Sequence, residues 1–379
     1  MKKVLFSLTI LFSFLLFLSF KNIEFLPGID IPIDSLRKLY AKSPAQWPKP
    51  TIDKGVNYIE LGVTPPSPLD LNNDTVKKIV ALGKILFFDP RLSASNQISC
   101  SSCHAPDLNW ADGREVSIGH DHAVNTRNAP SLENVWFYKR LFWDGRAETL
   151  EDQAQSPLTS NIEMHQDMKL LPKKLRKIKG YKPLFIAAFG TDQINAERIY
   201  KSLADFQRTI VSRKSDFDKF VEGNQSSLTD QQLIGLHLFR TKARCMNCHN
   251  GPLFSDNDFH NVGLTYYGRK YEDLGLYNVT KKVEDVGKFK TPGLRNVMRT
   301  GPWFHNGLFG DMDGIMNMYN IGMPVQNVKP GQENDPLLPK NDKLLRGLRM
   351  SKNERDAIVA FLQSITTAPW KDRPPVLPQ

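Results

Sequence analysis

The chain has 379 residues and a mass of 43.1 kDa, enough for two or three domains. With 40% hydrophobic and 24% charged residues, it is not a largely disordered chain. The net charge of +10 is spread thinly, without a polybasic tract or a nucleic-acid motif, so nucleic acid is not an expected partner. Four cysteines are too few to staple a chain of this size.

In chain order, Lys2 and Lys3 come first, ahead of an uncharged run at 4–20 that is mostly Leu, Phe, Ile and Ser. That layout marks an export signal. The run is long for one and lacks a small-x-small cleavage site, and it sits at the short limit for crossing a bilayer. Residues 1–22 are therefore expected to be a signal peptide or a retained membrane anchor, with the rest of the chain in the periplasm. Val76, Ile79, Val80 and Gly83 recur at helical spacing and stop before Phe87-Phe88-Asp89-Pro90. Ile199, Leu203, Phe206 and Ile210 predict a second helix. Thr229 and Gln232 form a capping box that opens a third, through Leu233, Leu236 and Phe239. Ser351 and Glu354 open a last one, carrying Ile358, Phe361, Leu362 and Ile365. Stretches 105–135 and 250–330 are rich in Gly, Pro and Asn and read as long loops, which are uncommon unless functional.

The four cysteines fall into two clusters, Cys100-Ser101-Ser102-Cys103-His104 and Cys245-Met246-Asn247-Cys248-His249. Both read C-x-x-C-H, the attachment motif of haem c. The two thiols reach the vinyl groups of one porphyrin, and the adjacent imidazole turns onto its iron. A structural zinc site would need four ligands in one cluster, whereas these pairs lie far apart and each carries its own His. Two covalent haems c are expected. The fold expected is all-α: two cytochrome c-like haem domains with long irregular loops behind the signal or anchor. A boundary near 212–218 gives an N-terminal domain at 50–213 and a C-terminal domain at 214–366. An extended Pro-rich tail follows at 367–379.

Around these motifs the sequence resembles the bacterial dihaem cytochrome c peroxidase and MauG family over roughly residues 75–365. The resemblance is carried by Leu82-Gly83-Lys84-Ile85-Leu86-Phe87-Phe88-Asp89-Pro90-Arg91-Leu92-Ser93, by Ala111-Asp112-Gly113-Arg114 and by Arg127-Asn128-Ala129-Pro130-Ser131. It continues through Phe142-Trp143-Asp144-Gly145-Arg146-Ala147, Phe289-Lys290-Thr291-Pro292-Gly293-Leu294-Arg295-Asn296-Val297 and Gly301-Pro302-Trp303-Phe304-His305-Asn306-Gly307.

The resemblance implies a two-haem enzyme acting on hydrogen peroxide at the haem held by His104. Electrons arrive through the haem held by His249 from a small cytochrome c or cupredoxin. It places Gln153 and Glu163 at the distal pocket, with Glu163 as acid/base; by composition alone both would be surface polar residues. It places Trp143 between the haems, where the plain reading is a core aromatic. It implies an interdomain calcium site on Asn128, Thr300 and Pro302, which suits a hard-oxygen cation.

The sixth iron ligands divide the family, and here the signals are mixed. Tyr319, before Asn320-Ile321-Gly322, matches the MauG-type ligand of the C-terminal haem, with Met316 and Met318 leaving a thioether open. His120, in Ser117-Ile118-Gly119-His120, matches a distal ligand of the electron-fed peroxidases, but it reads equally as a loop residue, as does His122. The leading expectation is a peroxidase that reduces hydrogen peroxide to water. The alternatives are a MauG-like enzyme oxidising protein residues in quinone-cofactor maturation, and a non-enzymatic electron carrier. A homodimer and anchoring through 4–20 stay open.

Overall fold

The computed structural model describes residues 31–369 and 372–379, so the expected signal or anchor lies outside the described residues. Among the described residues no helix is long and apolar enough to cross a membrane. Eleven α-helices among the described residues carry the fold. They are α1 (Ile33–Tyr40), α2 (Asp74–Phe88), α3 (Leu150–Thr159), α4 (Leu171–Arg176), α5 (Tyr181–Phe189), α6 (Ala196–Arg208), α7 (Asp216–Val221), α8 (Asp230–Arg240), α9 (Tyr277–Thr280), α10 (Met312–Ile321) and α11 (Lys352–Ser364). The sheet is minimal: β1 (Phe259–His260) pairs antiparallel with β2 (Phe289–Lys290), with Phe259 opposite Lys290. The all-α expectation holds. The stretch 250–330, read as loop, contains α9, α10 and both strands. Each is too short, at two to ten residues, to impose a visible period on its sequence.

Each half is built on one helix crossing. In the first, Asn73 caps α2 by accepting from the amides of Thr75 and Val76, and Asn195 caps α6 by accepting from Arg198. The helices meet at Gly83, where a Cβ would lie 1.8 Å from the carbonyl oxygen of Ser202. Leu82, Leu86, Phe87, Leu203 and Phe206 fill the surrounding core, with the Phe87 and Phe206 rings 5.2 Å apart. In the second half both expected capping boxes form, Thr229 with Gln232 and Ser351 with Glu354. Here α8 meets α11 at Gly235, where a Cβ would lie 1.9 Å from the carbonyl oxygen of Ala357. Phe217, Phe239, Phe254 and Phe361 form an aromatic core with edge-on and tilted contacts.

The two cores do not divide the chain at one point. Leu36, Tyr40, Trp47 and Leu61 are buried in the second core, so residues 50–61, assigned by sequence to the first domain, pack with the second. The fully buried Arg240 explains the attachment. Its guanidinium pairs with Glu60, donates to the carbonyl oxygen of Pro48 and lies 5.3 Å from the Trp47 ring centroid. The tail crosses the other way. Asp372 pairs with Lys84 at 2.5 Å, and Arg91 donates to the Pro378 carbonyl oxygen at 2.9 Å. The Gly180 amide donates to the carbonyl oxygen of Gln379, also at 2.9 Å.

Candidate active site

Each C-x-x-C-H motif folds as one tight turn closed by its histidine amide. The His104 amide reaches the Cys100 carbonyl oxygen at 3.0 Å, and the His249 amide reaches that of Cys245 at 2.7 Å. Both imidazoles are oriented alike. His104 Nδ1 lies 3.1 Å from the Trp110 carbonyl oxygen, and His249 Nδ1 lies 3.0 Å from that of Phe254. A carbonyl only accepts, so Nδ1 carries the proton and Nε2 keeps its lone pair. Burial lowers both pKa values, keeping the rings neutral as metal ligation requires. The four thiols are unbridged, and burial pushes Cys100 and Cys245 up to about 12.

All six of these side chains line one cavity of about 1570 Å³. Its wall carries buried polar groups without matching partners. Among the described residues Lys290, 8% exposed, has no ion pair; its ammonium lies 3.7 Å from the Tyr138 ring centroid, and burial lowers its pKa to about 7. His305 stacks on Phe289 at 3.6 Å, its Nε2 is without a partner, and burial pulls it down to about 4. Paired thiols, proximal-type imidazoles and a large wall with buried nitrogen donors short of partners, Lys290 and His305, fit two haems c and their carboxylates.

The residues singled out by sequence sort as follows. Glu163 and Gln153 line the cavity, Gln153 from α3. Asn125 donates to one Glu163 carboxylate oxygen at 2.8 Å. Trp143 also lines it and joins the two halves: its indole donates to the Asn128 carbonyl oxygen at 3.0 Å, and its own carbonyl oxygen accepts from the Lys290 amide at 2.9 Å. Asn128, Thr300 and Pro302 stand on the same wall. Tyr319 and Met316, one turn apart on α10, face the cavity, whereas Met318 does not line it. Burial raises the Tyr319 pKa above that of an ordinary phenol.

His120 is the exception. Its ring is not part of the cavity wall; it stacks on His165 at 4.7 Å, with its amide bonded to the Glu163 carbonyl oxygen at 2.8 Å. A tight turn at His120–His122 aims it there, the loop placement that the sequence left open beside ligation.

Sequence reasoning missed Asn125, the partner of Glu163, and gave no role to Lys290 although it stands inside a quoted motif. It also missed His260, held between Asp342 at 2.6 Å and Asp256 at 2.9 Å beside Cys248. None of these has a sequence signal, because each takes its meaning from a partner remote in the chain.

A mostly helical chain with two neutral imidazoles and two thiol pairs around one cavity defines a dihaem c-type protein. A family model described as di-haem cytochrome c peroxidase matches residues 77–226. The chain is 32% identical over 348 residues to the cytochrome-c peroxidase IdrP1 of Pseudomonas sp. (strain SCT), covering 84% of this chain and 89% of that one. It is 35% identical over 316 residues to the methylamine utilization protein MauG of Methylophilus methylotrophus, covering 82% and 89%. The crystal structure of a MauG-like protein associated with microbial copper homeostasis superposes with a TM-score of 0.70 at 28% identity, over 83% of this chain and 96% of that one. The chain belongs to the di-haem cytochrome c peroxidase and MauG family of haem oxidoreductases. Its relatives are divided between the two kinds at similar identity.

Proposed function

We propose that this protein is an exported, periplasmic peroxidase that reduces hydrogen peroxide with two electrons and two protons to two waters. The electrons come from a small cytochrome c or cupredoxin. The observation that carries this reading is Glu163, with Gln153, on the wall of a cavity that also holds Cys100, Cys103 and His104. Two haems c, held by the cysteine pairs and by His104 and His249, would supply the redox-active iron of that cavity. Breaking the O–O bond requires a proton for the departing oxygen. Asn125 fixes one Glu163 oxygen and leaves the other to hold and deliver that proton. The Gln153 amide offers hydrogen bonds that orient peroxide. Trp143, bonded to both halves, provides a polarisable path for electrons between them. A bare electron carrier would need neither Glu163 nor Gln153. A calcium ion on Asn128, Thr300 and Pro302 would brace the join.

The test is turnover of the two-haem protein with a reduced donor. Glu163→Gln, which keeps a carbonyl oxygen for Asn125 but cannot deliver the proton, should slow peroxide reduction about 10²–10⁴-fold with both haem spectra intact. Unchanged turnover would reduce Glu163 to a wall residue.

One observation favours the second reading, MauG-like oxidation of protein residues: Tyr319 on the cavity wall of α10. A phenolate ligand is a hard anion and favours higher oxidation states of iron. The two readings separate on whether the diferric protein reacts with peroxide before any electron is supplied.

A further inference from the structure

We propose that Glu133 is a redox-linked proton site, its buried carboxylate taking one proton when the His104 site gains one electron and returning it on reoxidation. The electron comes from a one-electron donor, a small redox protein in the cell or a mediator in the test. This rests on the two-haem reading above.

Glu133 is 7% exposed and lines the shared cavity. A carboxylate buried this deeply normally has a cation beside it. Here its partners are two neutral amides: Asn296 Nδ2 donates to one oxygen at 2.5 Å, and Asn109 Nδ2 approaches the other at 3.4 Å. Two arginines of the same cavity wall are committed elsewhere, and among the described residues no hydrogen bond reaches Glu133 from Asp107 or Asp112 beside Asn109 or from Arg299 beside Asn296. Arg295, beside Asn296, is bonded to Asp218 at 2.9 Å, and Arg127 is divided between Asp144 and Asp273. On the segment that carries Asn109, His104 is neutral and bonded to Trp110. Burial pushes the Glu133 carboxyl up to about 7, against the opposing pull of the two amides.

The carboxylate is also wired to His104. Ser131 Oγ donates to the Asn109 carbonyl oxygen at 2.6 Å and accepts from the Glu133 amide at 3.1 Å. Glu133 and Ser131 together thus clamp Asn109 by its side chain and its carbonyl. Asn109 and the next residue, Trp110, both sit in the left-handed region, at φ 54° and 60°. Ordinary side chains rarely adopt that region, so the turn depends on such clamps. The Trp110 carbonyl oxygen then receives the Nδ1 proton of His104. An electron added at the His104 site makes a nearby carboxylate more basic. By reciprocity, a proton on that carboxylate makes the electron easier to add.

Haem content of the full-length holoprotein is measured first, by pyridine haemochrome. Fewer than two haems per chain would count against the two-haem reading and would say nothing of Glu133. With two present, spectroelectrochemical titrations between about pH 5 and 9 bracket the carboxyl. Between the carboxyl's pKa in the oxidised state and its higher pKa in the reduced state, the reduction equilibrium of the His104 site should fall by up to about tenfold per pH unit, about 59 mV for one electron, and level off on either side. Glu133→Gln should remove that dependence, leaving whatever slope the haem carboxylates contribute. A flat wild-type curve, or the same slope in Glu133→Gln, overturns the proposal. Should Glu133→Gln fail to load both haems, Glu133→Asp decides: a displaced midpoint supports the proposal and an unmoved one overturns it.

Discussion

Tyr319 presents the residue-scale problem in its simplest form. Burial disfavours its phenolate, and its nearest ionisable neighbours, Cys245 and Cys248, raise the pKa further. Only a metal cation would draw the proton off. If the phenolate ligates iron, the oxidised holoprotein should show tyrosinate modes in its resonance Raman spectrum, and Tyr319→Phe should abolish them. Identical spectra of the two proteins would make Tyr319 a packing residue. The residues that attach cofactor were legible because Cys and His are rare and their spacing is local. Glu163 and Tyr319 became legible only through a resemblance. Asn125, Lys290 and Glu133 were illegible in principle: what distinguishes them is the partner they find, or lack, once the chain has folded.

At the scale of elements, the parts read most reliably were those whose signals lie within a few residues. The capping boxes of α8 and α11 and the apolar stripes of α2 and α6 formed where sequence placed them. Helix α3, which presents Gln153, escaped notice because Pro157 interrupts its ten residues. What sequence could not show was how the helices meet. Gly83 and Gly235 look like weak points of their helices, yet each is where a second backbone passes closest. A methyl at Gly235 would have to displace the backbone at Ala357. Gly235→Ala should therefore destabilise the second half by at least about 1–3 kcal/mol, the range of an overpacked core. Thermal unfolding of the holoprotein measures this. A gain in stability from the better helix propensity of Ala would show that α8 and α11 can slide apart freely.

On the scale of the whole molecule, the chain ends are exchanged between the halves: the arm at 33–61 covers the second core and the tail at 372–379 covers the first. No long periodicity announces this: the arm is held by scattered side chains, Leu36, Tyr40, Trp47 and Leu61, and the tail by single charged and backbone contacts. The tail seals a buried group of some consequence. Asp89 is fully buried, is bound by Arg91 at 2.7 Å and accepts from the Tyr181 hydroxyl at 2.5 Å. Burial alone would raise its pKa, but Arg91 and Tyr181 outweigh that and hold it below the ordinary carboxylate range. A depressed pKa contributes stability above the unfolded value of 3.8 and loses it as pH falls through the folded one. Deleting 372–379 removes the Pro378 acceptor from Arg91, the Gln379 acceptor from Gly180 and the partner of Lys84, and it opens the Asp89 pair to water. With each such bond worth about 0.5–1.5 kcal/mol, the truncated protein should lose about 1.5–4.5 kcal/mol from the first half at neutral pH. Calorimetry should show the transition of the first half moving down while that of the second stays in place. As pH is lowered through the carboxylate range, the full-length protein loses its Asp89 contribution too, so the gap between the two proteins should narrow. A gap that stays constant with pH would mean that the tail stabilises the first half by coverage alone, independently of the ion pair beneath it.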